Sequence, residues 1–507
     1  MRNQGVGSWP ERRARRTPDR PALVDGDTEL TFADVNRRVT GLAHGLRAEG
    51  VTAPDRIAYL GPNGAPLVET MFAAHVLGCV FVPLNTRLTP AELDHQLLDC
   101  QVSALVYAGA HASTVRGLAH PPVLLAFHDP EPGADPPGHV LDDLVSADTA
   151  PIDEPVALQD AAMILYTSGT TGRPKGATLS HGNLTWNAVN VLVDLDLSHD
   201  EVTLASAPLF HVAALNMTLL PTFLKGGRSV LMRSWGPAAC LAAVQRHGVT
   251  FMFGVPTMFA DLTREPDWAS ADLSSIRTLL AGGAPVPSEL ISTYLERGLG
   301  FLQGYGLTEA SPGTMVVPAD RAQEKVGSAG VPHFFNDVRI GGTSAEGGVG
   351  ELLVQGPTVM EGYWHQPEAT ADTIVDGWLR TGDVATVDAD GFVTLVDRVK
   401  DIYVSGGENV YPAEVEAALR MHPDVVDCAV VGVPDDRWGE VGHAFVELRT
   451  GAVLTPETLV DFLAGRLARY KLPREVHRVA ALPRTGSGKV TKAALRGDRP
   501  GQRALRE

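Results

Sequence analysis

A chain of 507 residues is too long for one ordinary hydrophobic core, so two or more domains are expected. Hydrophobic residues at 44% and charged residues at 20% read as a soluble globular protein, and a formal charge of −18 speaks against nucleic acid or an anionic membrane as partner. No run of 18 apolar residues predicts a membrane span, and the arginines of "MRNQGVGSWPERRARRTPDRP" lead into no apolar stretch of the kind a signal peptide needs. Cys79, Cys100, Cys240 and Cys428 lie far apart with no CxxC pair, which fits reduced, inert thiols in a cytoplasmic protein.

In chain order, Thr31 with Asp34 caps a helix whose Val35, Val39, Leu42 and Leu46 share one face, and a strand follows at Ile57 to Leu60. Pro66 to Leu77 reads as a second helix closed by Gly78, leading to a buried strand around Val80 to Val82. Thr89, Pro90 and Glu92 supply the cap, first-turn proline and capping-box acid of a third helix before the strand Ala104 to Tyr107. This βαβ rhythm predicts a mostly parallel sheet flanked by helices. "DPEPGADPPG", Asp129 to Gly138, is a surface loop.

An apolar run, Ala161 to Leu165, then opens onto "YTSGTTGRPKGATLSHGN". Hydroxyls at Thr167, Ser168, Thr170 and Thr171, glycines at Gly169, Gly172 and Gly176, and Lys175 are the residues that wrap an anion: bare backbone N–H groups, hydroxyl donors and a mobile cation. The spacing is not GxxxxGK[ST], so this is a phosphate loop of another type or else a solvated turn. Past Gly341 the chain changes to short β-like runs, "GELLVQG" and "DGFVTLVD". Strands are expected near Val425 to Val431 and Gly442 to Leu448, a helix from Pro456 to about Arg469, and a domain boundary at "DRVKD", Asp397 to Asp401.

Four further polar, glycine-punctuated stretches follow the loop: "GGAP" (Gly282 to Pro285), "QGYGLTE" (Gln303 to Glu309), "RTGD" (Arg380 to Asp383) and "PRTGSGK" (Pro483 to Lys489). With "DRVKDIYVSGGENVYPAEVE" (Asp397 to Glu416), in this order, the chain resembles the adenylate-forming superfamily of acyl-CoA synthetases, adenylation domains and beetle luciferases over nearly its whole length. The resemblance implies an α/β fold: a large N-terminal domain (1–397) of parallel-type sheets packed with helices plus a β subdomain, then a small mobile α+β domain (398–507) hinged near Lys400. It also implies a two-step reaction, in which a carboxylate attacks the α-phosphate of ATP to give an acyl-adenylate and pyrophosphate, and a thiol then displaces AMP. ATP, Mg²⁺ and coenzyme A are the implied cofactors.

On that resemblance Ser168 to Thr171 and Lys175 would cradle the β- and γ-phosphates, Glu309 would hold Mg²⁺ through carboxylate oxygen, and Thr308 would donate to the α-phosphate. Gly283, Ala284 and Pro285, with Gln303, Gly304 and Tyr305, would form the adenine slot, while Asp383 would accept the ribose hydroxyls and Arg398 donate to the ribose. Lys489 would bridge the attacking carboxylate and the α-phosphate. After the small domain turns about Lys400, Ser405, Gly406, Gly407 and Glu408 would line a passage for pantetheine.

The acyl pocket matches "APLFHVAALNMTLLPTFLKGG" and "FMFGVPTMF", offering Phe210, Val212, Ala213, Leu215, Met217, Phe253, Val255 and Met258 beside Asn216 and Gly306. No arginine stands among them, so a second carboxylate would be buried unpaired and malonate-like acids are disfavoured. No aspartate stands at or beside His211 to pair with an α-ammonium, which sets amino-acid activators aside; His211 is a candidate wall of the carboxylate site. "MRNQGVGSWP", "LSHGNLTWN", "KGG" and "GLTEASPG" look like the actinobacterial feruloyl-CoA and fatty-acyl-CoA synthetases. A fatty acid, a hydroxycinnamate-type aryl acid and a bulky polycyclic acid all stay open, with Asn216 larger than the feruloyl type leads one to expect. So do delivery to a carrier protein, which the basic set in "RLARYKLPR" disfavours against coenzyme A, and a nucleotide-binding sensor without turnover. Monomer and homodimer are both compatible with the sequence.

Overall fold

The computed structural model describes residues 2–131, 135–167, 174–284, 286–342, 348–398, 401–405, 408–435, 438–452, 454–464, 466–467, 469–485 and 488–496. The chain divides into two compact units, one of residues 1–339 and 353–380, the other of 340–352 and 381–507. Both capping boxes form as the sequence predicts: Thr31 accepts from the Asp34 N–H and Thr89 from the Glu92 N–H, each acid reaching back to its cap. A third, at Ser180 and Asn183, opens the helix His181–Asp194.

The first unit holds two large sheets. One is nine-stranded, and six neighbours in it run parallel in the spatial order Phe301–Gly306, Thr278–Ala281, Phe251–Gly254, Val202–Ala205, Arg228–Leu231, Pro21–Asp25. The chain runs outward from Val202–Ala205 to Arg228–Leu231 on one side, then returns to the other side with Phe251–Gly254. The connections reverse direction there, and open α/β sheets leave a crevice beyond the carboxyl ends of the strands at such a point. The second sheet is eight-stranded, with Ala161–Thr167, Val80–Pro83, Arg56–Leu60 and Ala104–Ala108 as parallel neighbours. A core running from Phe32, Phe72 and Phe81 to Phe251, Phe259 and Phe301 fills the unit. Cys79, Cys100 and Cys240 are buried and free, their thiols pushed up to about 12, 11 and 12 chiefly by burial, so they are inert at neutral pH.

The second unit contains a small α+β body. Its sheet runs Glu408–Val410, Tyr403–Ser405, Gly439–Leu448, Val425–Asp435, with Glu475–Val479 parallel to Gly439–Leu448. The helices Pro412–Arg420 and Pro456–Ala464 pack Val415, Leu419, Leu459 and Leu463 against Tyr403, Val430 and Val446. The second helix is shorter than its composition led us to expect. Arg466 and Leu467 both turn their N–H groups back on Leu463 O (2.8 and 2.9 Å), and Arg469–Lys471 forms a separate tight turn. Among the described residues no helix is long and apolar enough to cross a membrane.

Candidate active site

Four of the predicted segments leave the carboxyl ends of four adjacent parallel strands. Phe210 and His211 follow Val202–Ala205, Phe253 and Val255 end and follow Phe251–Gly254, Gly282 to Ala284 follow Thr278–Ala281, and Gln303 to Glu309 finish Phe301–Gly306 and run past it. Phe210, His211, Ala213, Val255 and the whole run Gln303 to Glu309 are half-buried, while Gly283 and Ala284 are exposed. The segments touch through glycine. A Cβ on Gly282 would stand 3.2 Å from Gly304 O and 3.3 Å from the Phe253 ring, and Gly283 holds φ +82°, which favours glycine. A Cβ on Gly306 would stand 1.8 Å from Pro312 O, so glycine is required there for close packing. Pro285 lies outside the described residues.

Glu309 is held from a different sheet. Tyr363 OH donates to its Oε1 at 2.9 Å and Thr167 Oγ1 donates to the same oxygen at 3.4 Å. Thr167 ends the strand Ala161–Thr167, which forms an antiparallel hairpin with Lys175–Ser180, and Thr167 pairs with Lys175 in register. Tyr363 arrives on the short strand Gly362–Tyr363 beside Lys175–Ser180, and the Lys175 ammonium lies over its ring at 4.9 Å. Burial, and next the charge of Glu309, push the Tyr363 phenol far up, so it stays a donor across the working pH range. A carboxylate, a hydroxyl and a lysine thus meet at the base of the predicted phosphate loop; Ser168 to Thr171 themselves lie outside the described residues. Oxygen donors of this kind suit Mg²⁺ and phosphate together.

The predicted acyl segment folds as Val212–Ala214 continued by a wide i to i+5 turn, Leu215–Leu219. Val212, Leu215, Met217, Phe253 and Met258 are buried at 0 to 6% exposure, leaving Phe210, Ala213 and Val255 as partly open apolar side chains, with the His211 ring next to Phe210. Asn216 is fully buried: its Nδ2 donates to Ser311 O at 2.9 Å and its own carbonyl accepts from Asn187 Nδ2 at 2.8 Å. Its Nδ2 thus ties the turn to the loop that follows Glu309, while its buried Oδ1 has no hydrogen-bond partner in the protein.

In the second unit, Asp383 pairs in register with Arg398 across the antiparallel strands Trp378–Val387 and Val393–Arg398, so the two predicted ribose residues are cross-strand neighbours. Asp383 is buried at 8% exposure and its N–H donates to Thr381 Oγ1. Ser405 pairs with Glu408 across a hairpin whose tip, Gly406 and Gly407, lies outside the described residues, as does Lys400. Lys489 is exposed on a turn in which Thr485 N–H donates to Lys489 O (2.8 Å), Gly488 N–H to Thr485 O (2.9 Å), and Arg484 to Gly488 O (3.0 Å). Asp427 anchors Arg484 by an ion pair. Of the basic set at 466–474, Lys471 is paired with Glu414 at 2.6 Å.

Residues 10–364 match the family model of the AMP-binding enzymes, and 414–489 match the AMP-binding enzyme C-terminal domain. The chain belongs to the AMP-binding enzyme family. The chain is 54% identical over 500 residues to a feruloyl-CoA synthase of an Amycolatopsis species, covering 98% of this chain and 99% of that one. It is 40% identical to the indoleacetate–CoA ligase of Aromatoleum aromaticum, covering 97% of each. Among solved structures, the o-succinylbenzoate CoA synthetase of Bacillus subtilis in complex with its acyl-adenylate intermediate superposes with a TM-score of 0.86 at 33% identity, over 97% of this chain and 98% of that one. This AMP-binding enzyme is an acyl-CoA synthetase: with ATP and Mg²⁺ it converts a carboxylic acid to its adenylate and passes the acyl group to coenzyme A.

Sequence reasoning missed Tyr363 and an asparagine spine in this AMP-binding enzyme. On the helix His181–Asp194, Asn183 donates to Pro357 O and Val359 O, Asn187 to Asn216 O, and Asn190 accepts from Phe335 N–H. Asn187 Oδ1 also accepts from Gly313 N–H at 2.9 Å. The signal was there: Asn183, Asn187 and Asn190 are spaced four and three apart, so they share one helix face, all buried. A fourth amide, Asn63, clamps the loop before Phe210 by donating to Ala205 O and Ala207 O and accepting from Leu209 N–H.

Proposed function

We propose that the acid is a planar aryl acid of the hydroxycinnamate type, with ferulate as its model. The observation that carries this reading is the set of partly open side chains Phe210, His211, Ala213 and Val255 beyond the strand reversal, in segments that hold no arginine. Support comes from the 54% likeness to feruloyl-CoA synthase against 34% to a long-chain-fatty-acid–CoA ligase of Mycobacterium tuberculosis.

In the first half-reaction a carboxylate oxygen of the acid forms a bond to the α-phosphorus of ATP while the bond to the pyrophosphate oxygen breaks. Thr167, Ser168, Gly169, Thr170, Thr171 and Lys175 bind the leaving pyrophosphate, Thr308 donates to the α-phosphate, and Glu309, fixed by Tyr363, would hold Mg²⁺, which would supply charge neutralisation there. Gly283, Ala284, Pro285, Gln303, Gly304 and Tyr305 seat adenine, and Asp383 with Arg398 binds the ribose. Lys489 neutralises charge between acid and phosphate. The small domain, 398–507, then turns about Lys400, taking Lys489 away and bringing Ser405 to Glu408 beside the pantetheine path. In the second half-reaction the thiol sulfur bonds to the acyl carbon, its proton is lost, and AMP leaves. The acceptor is coenzyme A rather than a carrier protein, and a cytoplasmic location fits both reduced thiols and this acceptor.

Pyrophosphate release with ferulate, other hydroxycinnamates, indoleacetate, and medium- and long-chain fatty acids tests the substrate class. Ferulate-type acids are expected to give the highest kcat/KM by at least about tenfold, the discrimination that one or two buried apolar contacts supply. A fatty or polycyclic acid turned over as well as ferulate would overturn the aryl assignment. Holo-carrier protein in place of coenzyme A as acceptor is expected to give no thioester.

A further inference from the structure

Apart from the residues of the reaction, the small unit brings two histidines and a glutamate to one face of its sheet. His443 lies on Gly439–Leu448, and Glu475 and His477 lie on the parallel neighbour Glu475–Val479, with His443 opposite Glu475 and Phe445 opposite His477. Residues 475 and 477 share a face because side chains alternate along a strand. His443 Nδ1 and His477 Nε2 are 3.3 Å apart, His477 Nε2 and Glu475 Oε2 are 3.3 Å apart, and His443 Nδ1 and Glu475 Oε2 are 3.9 Å apart. Among the described residues this is the one trio of His, Cys, Asp or Glu whose donor atoms all fall within 4.8 Å of one another.

We propose that His443, His477 and Glu475 form a binding site for a divalent transition metal of the zinc class. Bonds of about 2.0 to 2.1 Å directed to the corners of a tetrahedron place the donors about 3.3 to 3.4 Å apart. Two of the three separations meet that length, and the third closes with a small rotation of the exposed Glu475 carboxylate. Two imidazoles select zinc, cobalt, nickel or copper over Mg²⁺, which keeps to oxygen ligands, so the site is chemically distinct from the nucleotide's metal. The His477 ring is stacked on Phe445 with centroids 4.7 Å apart, which fixes its orientation before any ion arrives. Glu475 and His477 are partly exposed, leaving the fourth position to water. A bound ion would clip the strand Glu475–Val479 to its neighbour and stabilise the small unit by mass action.

The test uses the full-length enzyme, stripped with chelator and kept in millimolar Mg²⁺ without ATP, titrated with Zn²⁺ and separately with Co²⁺. The expected result is one Zn²⁺ per chain, a raised thermal midpoint, and visible Co²⁺ bands of four-coordinate intensity. His443→Ala and His477→Ala should each weaken binding by at least about tenfold, and His120→Ala, an exposed histidine of the first unit, should leave it unchanged. Far-UV circular dichroism and Mg²⁺-supported adenylation rates of both variants without added zinc should equal those of the parent, which separates ligand loss from misfolding. No stoichiometric binding by the parent, or binding indifferent to both histidine substitutions, would overturn the assignment and leave the trio as an ordinary imidazole–imidazole hydrogen bond.

Discussion

Replacing Tyr363 by phenylalanine removes one oxygen and leaves the ring on which Lys175 rests. In the enzyme that oxygen donates to Glu309 Oε1 at 2.9 Å, while the second donor, Thr167 Oγ1, stands at 3.4 Å and holds the carboxylate less firmly. A hydrogen bond to a charged group contributes about 1.5 to 3 kcal/mol. Because Glu309 is half-buried and water can take up part of the lost bond, the lower end applies, and about 1.4 kcal/mol is a factor of ten in rate. Tyr363→Phe is therefore expected to reduce kcat/KM for MgATP about tenfold in pyrophosphate release, with a higher Mg²⁺ requirement. Conversion of supplied acyl-adenylate to thioester should be untouched. In a Glu309→Gln background the same change should add little, since the pair acts as one unit. Unchanged Mg²⁺ dependence, or equal loss in both half-reactions, would refute the claim that the phenol acts through Glu309.

Lys489→Ala is expected to slow adenylation by roughly 10² to 10³, the typical effect of deleting a preorganised donor, while supplied acyl-adenylate is still converted to thioester; equal loss in both steps would count against its role. Asn187→Ala leaves the Asn216 carbonyl and the Gly313 N–H without their buried partner and should lower unfolding free energy by about 3 kcal/mol, read from urea denaturation, with a raised KM for the acid. A shift below the error of that measurement would show the spine to be replaceable by water. His75 is fully buried, donates from Nε2 to Ala162 O at 2.9 Å, and is lowered to about 4 by burial. An unfolded histidine near 6.5 binds protons that the folded one refuses, so the stabilisation is present above pH 6.5 and is lost as pH falls toward 4, amounting to about 2 kcal/mol between pH 7 and pH 5. Denaturation midpoints at the two pH values should differ accordingly, and a His75→Gln variant should show a smaller difference; equal slopes in both proteins would contradict the burial argument.

Much of this enzyme was legible before folding because its chemistry is local. Capping boxes at Thr31 and Thr89 close within three residues, and both formed. The glycines of "GGAP" and "QGYGLTE" signal themselves by type, and they came to adjacent strand ends. The helix after Pro456 ran too long on paper because apolar periodicity continues past the point where the backbone turns back on Leu463.

What the sequence alone determined is the set of reacting groups and their order along the chain, since residue type and short spacing carry that information. Tertiary structure decided which groups act together: Tyr363 meets Glu309 across 54 residues and Thr167 meets it across 142, and Asn187 reaches the acyl turn and the loop beyond Glu309 at once. The physical reason is that strand neighbours in a parallel sheet are chosen by packing and by crossover connections, which leave no periodic trace in the residues they bring side by side.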